Sequence, residues 1–326
     1  VTAWRQSGAT LCLLLIPPPL ECPPLPDLEP RLPAGYRARP LTADDTVDVH
    51  HLIAACERAL FGRVQSDPGR TAAVLARPGL VPALDTRLVH DQAGQVVARA
   101  WVNRRCEVDV HPAHRGRGLG HALLAWAEAR AIQTGSAGIV QTIPDSDPHA
   151  VALLRSRAYE PMVTEWLLEF PMEQEPTAPG MPAGITVRPF RAGDEHHAHQ
   201  LVEDAFDAWQ QRRHSYEEWA QHTVARPSFA PALSALAFAD SQLVGAVLTL
   251  EVPDSGEAYI EQVAVRRDHR NRGIARLLLR TAFRACYRHG RRTCTLATHS
   301  DTGALDLYLR VGMTVRNSST VFRKEW

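Results

Sequence analysis

Two stretches of this chain carry the same succession of hydrophobic and polar positions. In the second, Ile185 to Arg188 alternates as a short strand does, and Asp194 to Trp209 follows with a helical pattern. Leu233 to Ala239 and Leu243 to Val252 alternate or run apolar around the polar Asp240-Ser241-Gln242, which predicts a hairpin. Ala258 to Val265 is the next strand. Ile274, Leu277, Leu278, Thr281, Ala282 and Ala285 then recur at helical spacing until Gly290 stops the helix. Thr293 to Thr298 is a further strand, Thr302 to Arg310 a short helix ended by Gly312, and Met313 to Val315 and Val321-Phe322 the last apolar stretches. The first half follows the same order, with Leu119, Ala122, Leu123, Trp126 and Ala127 as the buried stripe of its main helix. Strands and helices mixed in this way predict an α/β fold.

The repetition extends to the letters. Leu32-Pro33-Ala34-Gly35-Tyr36-Arg37-Ala38-Arg39-Pro40 matches Met181-Pro182-Ala183-Gly184-Ile185-Thr186-Val187-Arg188-Pro189. Val108-Asp109-Val110 precedes Arg115-Gly116-Arg117-Gly118-Leu119-Gly120 as Val263-Ala264-Val265 precedes Arg270-Asn271-Arg272-Gly273-Ile274-Ala275. A third match sets Ala150, Leu153 and Leu154 against Ala304, Leu307 and Tyr308. A spacing of about 150 residues means two whole domains, not a solenoid of short repeats. The expected organisation is a first domain over 32–170, an exposed proline-rich linker over 171–184 and a second domain over 185–326. Residues 1–31 read as a disordered proline-rich leader: the apolar run Leu11 to Ile16 is too short for a signal peptide and ends at three prolines.

Composition narrows the partners. The 326 residues carry 36 basic and 36 acidic side chains, a net charge of zero, which disfavours nucleic acid and a polybasic membrane anchor. No apolar run is long enough to span a membrane. The six cysteines, Cys12, Cys22, Cys56, Cys106, Cys286 and Cys294, form no C-x-x-C pair or zinc spacing, so they are expected to be reduced and the compartment cytoplasmic. His196-His197-Ala198-His199 lacks acidic or cysteine partners at ligand spacing, so no metal site is expected.

The strongest chemical signal is a strand, a tight basic glycine-containing loop and a helix, present twice. Free N–H groups of a first helical turn and the helix dipole favour an anion there. Gly118 and Gly273 remove a side chain where a phosphate approaches the backbone, and Arg115 and Arg270 are expected to add charge-assisted donors. Neither loop has the G-x-G-x-x-G of a dinucleotide site or the G-K-[ST] of a nucleoside triphosphate loop.

The pattern R-x-x-G-x-G/A after V-x-V resembles the acetyl-CoA signature of the GNAT N-acetyltransferase superfamily. Arg115, Gly118 and Gly120 carry it in the first half, and Arg270, Gly273 and Ala275 in the second. Ala304, Tyr308, Gly312 and Met313 resemble the family's A-x-x-x-Y-x-x-x-G-F block, and tandem pairs of this length are similar in architecture to the mycothiol synthase group. The resemblance covers 33–326 twice over. It implies two tandem domains, each a splayed, mostly antiparallel mixed sheet flanked by helices. It further implies acetyl-CoA as co-substrate, with the pantetheine arm along Val263 and Val265 and the pyrophosphate on the N–H groups of Asn271, Arg272, Gly273, Ile274, Ala275 and Arg276. The matching positions of the first half are Val108, Val110, Arg115, Gly116, Arg117, Gly118, Leu119 and Gly120.

Acetyl transfer to an amine needs a base for the amine proton and an acid for the departing thiolate. By the resemblance Tyr308 is the general acid. Glu261, with the strand parity of Val263 and Val265, is the candidate general base, acting through water; Glu257, Glu251 and His299 are its rivals. In the first half Leu154, Cys106 and Ala158 stand where the second has Tyr308, Glu261 and Gly312, so the first domain is expected to bind coenzyme A or be structural, without catalysing. Glu107 is the one residue there that could serve instead as a base. Trp209, Tyr216 and Trp219 and the segment Gln210 to Pro231 are candidates to shape the acceptor pocket. The function implied is an N-acetyltransferase acting on a primary amine of a small molecule or a protein N-terminus, as monomer or homodimer. The alternative is a non-catalytic acetyl-CoA-binding sensor or assembly module.

Overall fold

The computed structural model describes residues 28–326 except 65, 67–74, 76–78, 104, 179, 208–211 and 253–254. Residues 1–27 of the expected leader, with Cys12, Cys22 and Leu11 to Ile16, lie outside the described residues, as do Trp209 and Gln210. The leader's last residues are ordered into the fold: Leu28 packs on a core, and its carbonyl accepts from Trp126 Nε1 and Arg87 Nη2, both at 2.8 Å.

In chain order the elements are β1 (Arg37–Arg39), α1 (Thr46–Phe61), α2 (Pro82–Asp85), β2 (Thr86–His90), β3 (Val96–Val102), β4 (Cys106–Val110), α3 (Leu119–Gln133), β5 (Gly138–Pro144), α4 (Pro148–Ser156) and β6 (Glu160–Pro171). They continue with β7 (Ile185–Pro189), α5 (Glu195–Phe206), α6 (Tyr216–His222), β8 (Ala235–Ala239), β9 (Gln242–Val252), β10 (Glu257–Val265), α7 (Ile274–Arg288), β11 (Thr293–His299), α8 (Leu305–Val311) and β12 (Thr314–Glu325). The β8–β9 turn is tighter than expected. Only Asp240 and Ser241 lie in it, both at positive φ, and Gln242 already pairs with Ala239. Two left-handed residues match the twist of a two-residue hairpin. The expected helix from Thr302 starts at Leu305, after a separate turn over Ser300–Thr302. The two last apolar stretches are one strand, β12.

The described chain divides into two compact units, residues 28–164 with 319–326, and residues 165–318. The first has strand order β1-β2-β3-β4-β5-β12 and the second β6-β11-β10-β9-β8-β7. In each unit one pair is parallel, β4 with β5 and β10 with β11, and every other strand pair described is antiparallel. The expected boundary therefore moves. Residues 165–171 of β6 pair with β11 and count with the second unit, while residues 319–325 of β12 pair with β5 and count with the first. Each exchanged segment carries core side chains: Phe322 in the first unit, Leu168 in the second. Phe170 stacks on Phe283 with ring centroids 4.4 Å apart. Burying side chains of this size contributes about 1.5–3 kcal/mol each.

In the second unit, the face of the sheet toward α7 and α8 packs Ile274, Leu278, Ala282, Phe283 and Tyr308 against Ala258, Ile260 and Leu296. The other face packs α5 and α6, through Ala198, Leu201, Val202 and Trp219, on Leu236, Ala246, Leu248 and Ala264. Of the helical stripe expected in α7, Thr281 and Ala285 are only half-buried, and Leu279, Phe283 and Cys286 are buried instead. The expected stripe of α3 is buried throughout, and Cys56, Cys106, Cys286 and Cys294 are buried free thiols. Among the described residues no helix is long and apolar enough to cross a membrane.

The linker is not the free spacer its prolines suggest. Met172 is buried, and Glu175 binds both Arg284 (2.6 Å) and Arg288 (2.7 Å) of α7.

Candidate functional site

Each unit opens its sheet at the parallel pair. β10 and β11 pair only over Glu257–Tyr259 and Thr293–Thr295, whereas on its other side β10 stays paired with β9 as far as Val265. In the first unit the parallel register is reduced to Cys106 opposite Gln141. This is the expected splay, and it leaves the second halves of β4 and β10, with Val108, Val110, Val263 and Val265, along the opening.

The loop beyond each strand has one conformation in both units. Gly116 and Gly118 lie at φ +74° and +83°, Asn271 and Gly273 at +60° and +79°. Gly118 and Gly273 are the N-caps of α3 and α7, where left-handed backbone is costly for any residue with a side chain. The first intrahelical bonds are Ala122 N–H to Gly118 (3.0 Å) and Leu277 N–H to Gly273 (2.9 Å). The N–H groups of residues 119–121 and 274–276 thus have no helical acceptor, as an anion site requires. Asn271, Arg272, Gly273 and Arg276 are exposed, Ala275 is half-buried, and Ile274 anchors the turn in the core. In the first unit Gly116, Arg117 and Gly118 are likewise exposed above a buried Leu119.

The two arginines are bonded to the backbone at the end of the preceding strand. Arg270 donates Nε to Val265 O (3.2 Å) and Nη2 to Ala205 O at the end of α5 (2.8 Å). Arg115 donates Nε to Val110 O (3.4 Å) and pairs with Asp147 (3.4 Å). Each guanidinium thereby ties the loop to the strand it follows.

Surroundings separate the copies. A cavity of about 560 Å³ lies between Thr177, Ala178, Gly180 and Pro182 of the linker and Gly273, Arg276, Leu277 and Arg280 of α7. Nothing comes within 4 Å of a methyl group placed on Gly273. In the first unit a methyl on Gly118 would lie 3.4 Å from Pro33 Cγ, and one on Gly120 3.1 Å from Leu153 Cδ2. Arg117 donates to Tyr36 Oη at 3.2 Å, and the same hydroxyl meets His114 Nδ1 at 3.1 Å.

Glu261 sits on a β-bulge. Ile260 faces Thr249 and Gln262 faces Leu248, so Glu261 is the extra residue. The bulge overturns its expected parity: Ala258, Ile260, Val263 and Val265 share the α7 face, and Glu261 falls where the alternation slips. Its Oε2 is buried and, among the described residues, has no hydrogen-bond partner. Burial pushes the carboxyl pKa up to about 7, opposed by the charge of Arg226 in the turn after α6. Of its rivals, Glu257 is bound by Arg316 (2.7 and 3.1 Å) and Glu251 by Arg291 (3.1 Å). His299 is held below the ordinary histidine range by burial. Among the described residues its Nδ1 has no hydrogen-bond partner, and Asp301 is 3.9 Å away. Next to Glu261, Gln262 Oε1 accepts from Trp219 Nε1 at 2.9 Å, a contact no sequence pattern announced.

Tyr308 is buried in the α7-facing core, and desolvation pushes its phenol up to about 12, so it keeps its proton at neutral pH. Its counterpart Leu154 fills the same place as plain hydrocarbon. Cys106 accepts from Gln141 Nε2 (3.4 Å), and burial pushes its thiol up to about 12, far from a base at neutral pH. Glu107 is tied to the buried Arg99 (3.1 Å), which also pairs with Asp109 (2.5 Å) and lies 3.6 Å over Trp101. The histidine cluster is aromatic packing: His196 stacks on Tyr216 (3.9 Å between centroids) and His199 packs on Trp219 (5.3 Å).

Against known proteins, the model of the acetyltransferase (GNAT) family matches residues 88–159 and 196–313, more than half of the chain. Over 313 residues the chain is 26% identical to a mycothiol acetyltransferase of Catenulispora acidiphila, covering 89% of this chain and 98% of that protein. Over 234 residues it is 30% identical to the mycothiol acetyltransferase of Cellulomonas flavigena, covering 67% of this chain and 66% of that one, just under two thirds. In fold it is similar to a GCN5-related N-acetyltransferase from Sphaerobacter thermophilus, with a TM-score of 0.74 and 31% identity over 90% of this chain and 96% of the other.

Proposed function

Because the chain belongs to the acetyltransferase (GNAT) family and is an acyltransferase of tandem architecture, we propose that its second unit moves an acetyl group from acetyl-CoA to the primary amine of a small molecule. The observation that carries this reading is the carboxyl of Glu261, unpaired at Oε2 on a bulge beside the open strand, with its pKa moved to the pH at which a general base works best. Small-molecule chemistry is the choice because the relatives' names carry mycothiol rather than a protein acceptor.

The residues present fit the cofactor. The free first-turn N–H groups of α7, the left-handed Gly273 and the cavity beside it offer a cradle for a pyrophosphate. Bound there, acetyl-CoA supplies the acyl group as a thioester. Glu261, ionised, takes the proton from the attacking amine through water, and the nitrogen forms its bond to the thioester carbon as the carbon–sulfur bond breaks. Tyr308 gives its phenolic proton to the departing sulfur. The pair of electrons leaves with the sulfur, and the proton that Glu261 gained and the one that Tyr308 lost are exchanged with solvent.

The first unit is the structural partner in this reading. It keeps the loop conformation, but Leu154 offers no proton and Glu107 is held by Arg99. Calorimetric titration with acetyl-CoA tests the assignment. One site per chain, removed by Gly273→Val and unaffected by Gly118→Val, is the expected result. Two equal sites would return the first unit to cofactor binding, and no heat at millimolar ligand would end the acetyltransferase reading for this site.

A further inference from the structure

We infer that Gln262 reads an oxygen on the acceptor, so that this site takes an amine carrying a hydroxyl or carbonyl close to its nitrogen. This rests on the acetyl-transfer reading above and names the acceptor's chemistry.

An indole N–H donates and cannot accept. The 2.9 Å contact with Trp219 therefore orients the Gln262 amide: Oε1 is turned to the indole and Nε2, with its two hydrogens, is turned away. Among the described residues Nε2 has no protein partner; the side chain is half-buried, on the part of β10 beyond its parallel pairing with β11. The orienting group is firmly held. Trp219 is buried, with His199 and Tyr216 packed on it at centroid distances of 5.3 and 6.1 Å.

Gln262 directly follows the bulged Glu261, and the two side chains take their neighbours from the same part of the chain. Trp219 lies in α6, and Arg226, whose charge acts on Glu261, in the turn behind it. A carboxylate acceptor and an amide donor thus stand side by side at the splay. The first suits an amine N–H, the second an oxygen three bonds from that nitrogen, on the neighbouring carbon. An amine without that oxygen leaves the donor unpaired, and a site built around a hydrogen bond discriminates against the analogue that lacks it. In the first unit the corresponding position is Glu107, an acceptor already bound by Arg99, so the donor belongs to the second unit alone.

The test compares trans-2-aminocyclohexanol with cyclohexylamine, which differ by one hydroxyl, by kcat/KM in the full-length enzyme with acetyl-CoA saturating. The wild type is expected to prefer the amino alcohol by about tenfold to a hundredfold. Gln262→Leu should bring that preference down to the intrinsic reactivity ratio of the two amines, with the KM for acetyl-CoA unchanged. Trp219→Phe, which frees the amide to turn, should lose part of the preference, and it serves as the second probe if the leucine variant does not fold. A preference retained in both variants, or no preference in the wild type, overturns the inference while acetyl transfer stands. If the wild type acetylates neither amine, the acetyl-transfer reading falls, and the inference with it.

Discussion

Both units place an arginine behind the cradle and donate its Nε to the carbonyl five residues earlier, Val110 in one and Val265 in the other. Both also close their first strand onto the next turn with a matched ion pair, Arg39 with Asp45 and Arg188 with Asp194. What surrounds these shared parts differs. The second unit has a bulge, an unpaired buried carboxylate oxygen, a phenol and an open cavity. The first has a regular strand, an Arg99–Glu107–Asp109 cluster, a leucine and a proline against the cradle. The loop conformation is thus common to both units, while the side chains around it are not. Catalysis has to be argued from the few positions where the duplicates diverge.

The comparison breaks most visibly at Tyr308. Tyr308→Phe should lower kcat about 10²–10⁴-fold with acetyl-CoA affinity unchanged, whereas Leu154→Met in the first unit should leave kcat alone. Unchanged turnover in the phenylalanine variant would remove the tyrosine from the mechanism.

The next largest effect is on stability. Arg316 is buried between Glu169 and Glu257, so Arg316→Met strands two carboxylates and should cost about 3–5 kcal/mol in denaturant unfolding. Its counterpart on the exchanged end of β12 is Lys324, half-buried beside Glu128. That carboxylate keeps Arg157, so Lys324→Met should cost only about 1 kcal/mol. Equal losses would mean that the two exchanged strands are anchored alike.

Glu261→Gln should lower kcat/KM about a hundredfold. In the wild type the rate should rise with pH through about 7 as the carboxyl ionises, and the variant should lack that limb. The linked stability runs the other way. A carboxyl whose folded pKa is raised above its ordinary 4.5 destabilises the fold as pH climbs from there to about 7. The glutamine variant should therefore gain on the wild type between pH 5 and pH 8, by on the order of 2 kcal/mol. Glu107→Gln should move neither profile.

The smallest contrast lies behind the last helix of each unit. Gly312 sits at φ +102°, with Phe170 Cε2 3.2 Å from where a methyl would stand, and Ala158 holds the same left-handed place at φ +62°. Ala158→Gly should stabilise by about 1 kcal/mol or less, and Gly312→Ala should destabilise by at least that much. Thermal denaturation of the two variants reads both signs.

Much of the site was legible because duplication supplied its own control. Leu154 against Tyr308 and Cys106 against Glu261 could be aligned by counting along the repeat, and the strand, loop and helix pattern located both cradles. The bulge was not legible, since a slip of one residue leaves no mark in an alternating pattern, and it misled the parity assigned to Glu261. Nor could the backbone contacts of Arg115 and Arg270 be read. Basic side chains near a phosphate loop look alike in sequence whether they face the ligand or brace the backbone. The bond between Trp219 and Gln262 joins residues 43 positions apart, which no local spacing predicts.

The sequence alone determined the two-fold α/β repeat, the position of each loop and helix cap, and which half lost its phenol. These follow from local rules: periodicity, glycine at left-handed positions and free N–H groups at a helix start. Only the tertiary structure decided which strand completes which sheet. β6 and β12 are alternating strands of the same pattern, and either could satisfy the open edge of β5 or β11 by backbone hydrogen bonding. The choice was made by side chains far apart in the chain, Phe322 entering the first core, and Phe170 stacking on Phe283 with Arg316 gathering Glu169 and Glu257 in the second.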